Sequence, residues 1–349
     1  MTPNPAAITG IGSVTPFGPL AGLIPPCALE PEAITAWPTA GLRRAFLVKP
    51  FRPASVVPGL KTRRVDRLSA WAMVASSLAI QDAGIDLSRV DRSRVAVVFG
   101  TGFGCAELTE AFYQSAAVNG WSGTDPSPFP EGLANAPASH VALLHGVRGP
   151  NITVGSTGFA GESALIQAAS LIRYGQADLA IVLAGDTLTR AVYEWYEVAG
   201  LLSPACFNWE AVPGSASFVP SEGVVALVLE PAGWREVRNY ARLTASRWAT
   251  SGKAVETIRQ MLGSSVPSLT ICSGNGAPCA ASSTVALARE IMGPDAVVVP
   301  AQAVAAGMAD AGALLHLILG LSSRPRSGLA LSLATSGDRG FAALLLELP

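Results

Sequence analysis

Gly149-Pro-Asn-Ile-Thr-Val-Gly-Ser-Thr-Gly-Phe-Ala-Gly-Glu-Ser-Ala-Leu-Ile-Gln-Ala-Ala-Ser-Leu-Ile-Arg-Tyr-Gly-Gln-Ala-Asp178 reads as a strand, a glycine-rich turn and a helix. Ile152, Thr153 and Val154 favour an extended segment. Gly155, Gly158 and Gly161 permit a sharp reversal with close backbone approach. Leu165, Ile166, Ala168, Ala169 and Ile172 then recur at helical spacing, and Gly175 marks a stop. A helix start reached from a strand is where a nucleophile would sit, because the dipole and free N–H groups stabilise an anion. The residue at the critical turn is Gly158, which has no side chain to attack anything.

The rest of the chain repeats the alternation of strand and helix. Before the central unit come a strand–glycine turn at Ala7–Gly18, an amphipathic helix over Val65–Ala83 and an apolar strand at Val95–Phe99. Gly100–Gly104 then leads into a helix carrying Leu108, Ala111 and Phe112, and 119–130 is a Gly/Pro/Ser-rich loop. After the central unit, Leu179–Ala184 and Val224–Leu229 are buried strands. Ser268–Cys272 and Val297–Pro300 are two more, each followed by a helix, and Leu329–Leu333 with Ala342–Leu348 form a closing hairpin. Residues 19–60 read as irregular surface. Alternation of this kind predicts a layered α/β domain with two pseudo-duplicated βαβαβ halves.

The chain has 349 residues, half of them hydrophobic and 14% charged, with a net charge of −1. That composition predicts a heavily buried core and gives no basic field for nucleic acid. The low charge also leaves apolar surface that a partner interface would absorb. The five cysteines (Cys27, Cys105, Cys206, Cys272, Cys279) include no CxxC pair, so neither a disulfide framework nor a metal site is expected. No basic–apolar leader opens the sequence, and runs such as Ala311–Leu321 are too short to span a bilayer. The expectation is a cytoplasmic protein with no membrane segment and no cofactor.

In order and spacing, a set of short motifs resembles the β-ketoacyl synthases of the thiolase-fold superfamily. They are Ile8–Gly18, Arg64-Val-Asp66, Gln81-Asp-Ala-Gly84, Phe99-Gly-Thr-Gly102, His145-Gly-Val-Arg-Gly-Pro150, Leu171–Asp178, Ala184-Gly-Asp186 and Pro220-Ser-Glu-Gly223. The resemblance implies a thiolase-like αβαβα sandwich over residues 1–349, with an N-terminal half at 1–230 and a shortened C-terminal half at 231–349. The family's chemistry uses a cysteine at the central helix start and two histidines. The cysteine position holds Gly158. The first histidine normally opens a His-Gly-Thr-Gly-Thr-Pro turn, and here Ser273-Gly-Asn-Gly-Ala-Pro278 puts Ser273 in its place. The second is replaced by Ala306 or Met308, depending on a two-residue gap.

A condensing scaffold stripped of all three groups resembles the chain-length factor, the non-catalytic half of a ketosynthase heterodimer in type II polyketide and aryl-polyene systems. That resemblance implies a catalytic ketosynthase and an acyl carrier protein as partners. It places Asn151, Ile152, Thr153, Val154 and Gly155 at the dimer interface. It also makes Leu108, Ala111 and Phe112, with Phe103 and Phe129 behind them, candidates for closing the acyl tunnel; ordinary core packing explains the same residues equally well.

Two other classes stay open. One is a pseudo-ketosynthase with relocated acyltransferase chemistry on Cys105, Ser156 or Ser273. The other is a homodimeric scaffold that binds acyl carrier protein through Lys61, Arg63, Arg64 and Arg67, for which a solvated helix start is the plainer reading. His140, His145 and His316 read as structural, Cys272 and Cys279 as structural, and Glu162 as a complement to the helix dipole.

Overall fold

The computed structural model describes residues 5–24, 32–34, 44–155, 158–199, 202, 219–274, 278–293, 298–300, 312–323, 327–335 and 340–349. The N-terminal strands are β1 (Ala6–Thr15), β2 (Gly18–Ala21), β3 (Glu32–Ala33), β4 (Arg44–Ala45), β5 (Val95–Thr101), β6 (Asn151–Gly155), β7 (Leu179–Asp186) and β8 (Gly223–Pro231). They are followed by β9 (Ala241–Ala249), β10 (Leu269–Gly274), β11 (Val298–Pro300), β12 (Gly328–Thr335) and β13 (Phe341–Leu348). The helices are α1 (Pro53–Val56), α2 (Arg67–Ala83), α3 (Ala106–Asn119), α4 (Ala136–His145), α5 (Ala160–Arg173), α6 (Arg190–Val198), α7 (Ala254–Leu262), α8 (Pro278–Met292) and α9 (Gly312–Ser323).

Ten of these strands run through one sheet in the order β11-β10-β12-β13-β9-β1-β8-β7-β5-β6. Outward from the β9–β1 seam, both sides repeat the same senses. β1–β8 and β8–β7 are antiparallel, then β7–β5 and β5–β6 are parallel. β9–β13 and β13–β12 are antiparallel, then β12–β10 and β10–β11 are parallel. This is the pseudo-duplication expected from element order, now visible in strand pairing. The seam itself is short, joining Ala6–Ile8 to Ala241–Leu243.

The central strand–turn–helix forms as read, with β6, a turn and α5. Gly175 follows α5 with φ 66°, the left-handed stop that glycine supplies. α2 is capped by Asp66, whose side chain accepts from the Leu68 N–H, and ends at Gly84 with φ 61°. Two glycines are set by contact rather than conformation. A Cβ on Gly12 would lie 2.2 Å from the Ala75 carbonyl oxygen, so β1 can press directly on α2. A Cβ on Gly100 would lie 2.3 Å from the Ala160 oxygen, so the Phe99-Gly-Thr-Gly motif lets β5 touch the first turn of α5.

Several elements depart from the sequence reading. β9 and α7 occupy 241–262 in the shortened C-terminal half, and α6 forms at 190–198, three elements that the sequence pattern does not announce. β12 and β13 pair as a hairpin, but β12 also pairs with β10, so the hairpin lies inside the sheet. His140 and His145 lie within α4 rather than flanking it. Residues 18–21 and 53–56 carry short regular elements in the region read as irregular.

The core has two main parts. One packs α5 and α9 against the sheet, with Leu165, Ile172, Val182, Leu227, Leu315, Ile318 and Leu344 fully or nearly fully buried. The other packs α2 and α4 on the opposite face, around Leu68, Trp71, Val97, Phe99 and Leu183. Helix pairs buried on this scale derive their stability from apolar area, at about 25 cal/mol per Å² removed from water.

Candidate active site

The turn before α5 places Gly158 in a buried position at φ 118°, a conformation that a residue with a side chain rarely adopts. α5 begins at Ala160 with no side-chain cap, so its first N–H groups and dipole point at this turn. Glu162 lies in the first turn and is 1% exposed, as a dipole complement would be. Ser273 stands near the end of β10, 2% exposed, with no hydrogen-bond partner for its hydroxyl among the described residues. Ala306, Met308 and Ser156 lie outside the described residues. Among the described residues no group of three or more His, Cys, Asp or Glu side chains is placed to hold a metal.

Cys105 is poorly set as an alternative nucleophile. Cys105 is 1% exposed at the start of α3, next to Ser69 Oγ and the buried Asp66. Burial, and then the Asp66 charge, push its thiol well above the ordinary range, so no thiolate forms at neutral pH. Burial likewise pushes the Cys272 thiol up to about 12.

The candidate gate residues go to three different places. Phe112, half-buried on α3, joins an aromatic cluster with Tyr113, Trp121 and Phe129 at centroid distances of 5.8, 6.4 and 5.6 Å. Leu108 is half-buried on the same helix, while Ala111 is exposed and lines an open cleft with Arg67, Glu107, Glu110 and Gln114. Phe103 turns away and meets Trp195 and Tyr196 of α6 edge-on, at 5.8 and 5.9 Å. The sequence reading missed α6, and with it the partner that claims Phe103. The signal was present in Val192-Tyr-Glu-Trp-Tyr196, whose Val192, Tyr193 and Tyr196 are buried.

The loop carrying Phe103 is held by Asp186. This buried carboxylate accepts from Thr101 Oγ1 at 2.6 Å, the Phe103 N–H at 2.9 Å and the Gly102 N–H at 3.1 Å. Glu222, from the Ser-Glu-Gly motif, is also buried and accepts from the Val48 and Leu188 N–H groups and from Arg67. Arg67 further bonds Glu107 at 2.8 Å and lies over the Trp71 ring. Of the four basic residues at this helix start, Lys61, Arg63 and Arg64 are therefore exposed, while Arg67 is turned inward.

β6 pairs only with β5 among the described residues, so its outer edge presents unpaired N–H and C=O groups. Asn151 and Gly155 are exposed, and Ile152, Thr153 and Val154 are half-buried. Leu143 on the neighbouring α4 is 77% exposed.

Two histidines are neutral, His316 fully buried and His145 half-buried. His145 bonds Ser76 at 2.9 Å, and burial, with the Arg92 charge adding to it, lowers its pKa to about 4. His316 in α9 is fully buried, and burial alone lowers its pKa to about 4. Both folded values lie below the ordinary 6.5, so neither group costs anything above pH 6.5, and stability falls as pH drops from 6.5 towards 4. At pH 5 each contributes a loss of about 2 kcal/mol relative to pH 7. Urea titrations at the two pH values should show this, with His316→Leu removing its share; a midpoint that is flat across this range contradicts the assignment.

Among the described residues, the turn into α5 offers Gly158, which carries no side chain. The β-ketoacyl synthase N-terminal domain model matches residues 30–233, more than half of the chain. The chain belongs to the β-ketoacyl synthase family. It is 28% identical over 187 residues to 3-oxoacyl-[acyl-carrier-protein] synthase 2 of Vibrio cholerae, an alignment covering 51% of this chain and 44% of that protein. It is 29% identical over 235 residues to nodulation protein E of Rhizobium leguminosarum bv. trifolii, covering 64% of this chain and 57% of that protein. The chain thus spans only about half the length of these relatives. Among solved structures, the ishigamide ketosynthase/chain length factor superposes with a TM-score of 0.78 at 21% identity, covering 99% of each chain. A type II polyketide ketosynthase in complex with its acyl-carrier protein gives 0.79 at 18%, covering 99% of this chain and all of that one. These likenesses show the thiolase-like fold.

Proposed function

We propose that this chain is a non-catalytic, chain-length-factor-like subunit that pairs with a catalytic ketosynthase and helps shape its acyl tunnel. One observation carries the reading: Gly158, buried at φ 118°, occupies the turn where the family places its cysteine. The first histidine position, Ser273, supports it. A subunit so altered offers the family's chemistry only shape and surface.

The surface supports pairing. The open edge of β6 would continue antiparallel across a dimer axis through Asn151–Gly155, satisfying the edge groups. Tyr113, Trp121, Phe129 and Leu143 are 57%, 70%, 51% and 77% exposed, more large apolar surface than a helix and its neighbours leave to water without a partner. In this arrangement the growing chain leaves the partner's cysteine and is stopped by side chains from this subunit. Phe112, backed by Phe129, is the gate favoured by its ring contacts. The exposed Lys61, Arg63 and Arg64 would meet an acidic acyl carrier protein.

The test is product length. Co-expression with a catalytic ketosynthase of the same pathway and Phe112→Ala should lengthen the product by one or more extension units, because the ring's volume is removed from the tunnel floor. Unchanged product length from an intact complex would remove Phe112 from this role.

A further inference from the structure

The part of the core between α9 and the sheet contains three polar side chains without partners. His316 is fully buried, and neither ring nitrogen has a hydrogen-bond partner among the described residues. Ser273 and Ser332 are 2% and 1% exposed, and both hydroxyls are also without a partner among the described residues. Leaving one such group unpaired costs about 1–3 kcal/mol. Three on one face of one layer call for a guest.

Register places them together. A Cβ on Gly320 would lie 2.5 Å from Ile271 Cδ1, so that face of α9 rests on β10 at Ile271. Ser332 is the sheet neighbour of Ile271, and Ser273 lies two residues further along the same face. α9 connects the parallel strands β11 and β12, so it runs against them, and its earlier residues lie nearer their C-terminal ends. His316 is one turn before Gly320 on the same face, and helix side chains lean towards the N-terminus. His316 therefore covers the end of β10 that carries Ser273. The sheet row there reads Ser273, Ala334, Ala342, three small residues side by side.

We propose that His316, Ser273 and Ser332 form a buried polar site that takes a neutral oxygen, the keto or hydroxy group of an oxygenated acyl chain. A neutral imidazole offers one donor and one acceptor, and each hydroxyl offers both. Such a set matches a carbonyl or an alcohol. It does not match a carboxylate, since among the described residues no charged group acts on His316 and none would compensate a buried anion. The site would let the chain separate β-oxygenated from fully reduced acyl groups, a discrimination made through hydrogen bonds that a saturated chain leaves unmade. This rests on the acyl-handling reading above.

The full chain contains three histidines, so its ¹⁵N-labelled imidazole spectrum has three ring systems to assign. The probes are a non-hydrolysable 3-oxoacyl pantetheine analogue and its isostere lacking the oxygen. The 3-oxo probe should shift the His316 ring resonances and bind about tenfold more tightly than the isostere, as one satisfied buried hydrogen bond implies. Ser273→Ala and His316→Leu should each bring that ratio towards one while leaving affinity for the isostere within about twofold. Equal affinity for the two probes, or a His316 ring that responds to neither and bonds only an internal water, overturns the proposal. These readouts need no partner subunit, so they can fail while pairing and product length stand, and the reverse.

Discussion

Gly158→Cys should not restore condensation. On the proposed reading it places a thiol at the family's nucleophile position, at the start of α5 where dipole and free N–H groups favour an anion. Three features oppose it. The backbone at 158 has φ 118°, and forcing a side chain to adopt it costs about 1–3 kcal/mol. Glu162 lies one turn on, and a carboxylate there raises a thiol's pKa. Ser273 supplies no imidazole to promote decarboxylation or hold the developing oxyanion. The expected result is a less stable protein with no carbon–carbon bond formation from malonyl- and acyl-carrier thioesters. Product formation by this single variant would mean that the remaining machinery is intact.

Asp186→Ala should be among the most damaging single substitutions for stability. Its carboxylate gathers three donors from Thr101, Gly102 and Phe103, and Thr101 Oγ1 in turn accepts from the Gly104 N–H at 2.9 Å. Removing it leaves these buried or half-buried donors facing a void, at about 1–3 kcal/mol for each one fully buried. A loss of about 4 kcal/mol is expected from urea unfolding, with Asp186→Asn losing roughly half of that because one acceptor oxygen remains. The loop it holds leads directly into α3, so limited proteolysis near 102–106 should accelerate as well. A loss below about 1 kcal/mol would show that the loop is fixed by something else.

Much of the architecture is readable from glycine and apolar periodicity. The 149–178 unit declares its strand, turn and helix because β-branched residues, glycines and an i, i+3, i+4 apolar stripe follow each other without interruption. β5 and β7 are read from wholly apolar runs, as strands buried on both faces should be. β9 was hidden because Ala241-Arg-Leu-Thr-Ala-Ser-Arg-Trp-Ala249 mixes Arg and Ser into a strand whose outer face is partly open to water. α6 was hidden because Tyr and Trp favour strands while this segment's burial follows a helical face.

The candidate site was legible where it depends on a position and obscure where it depends on a juxtaposition. The reading of Gly158 at a nucleophile position rests on one residue in a motif. The separation of Phe103 from Phe112 depends on α6 packing beside the loop, and the proposed approach of His316 to Ser273 depends on how a distant helix lies on β10. Neither follows from spacing along the chain. Cys105 shows the same limit in reverse: its glycine turn suggests an exposed helix start, and only burial beside Asp66 shows the thiol to be inert.

The central claim is that this chain works as the vacant half of a ketosynthase pair. Its most direct measurement is native mass spectrometry of the chain co-expressed with a catalytic ketosynthase of the same pathway, followed by acyl loading. A one-to-one heterodimer carrying acyl adducts on the partner alone is the predicted result. A stable homodimer that ignores every such ketosynthase, or an acyl adduct on this chain, would contradict it.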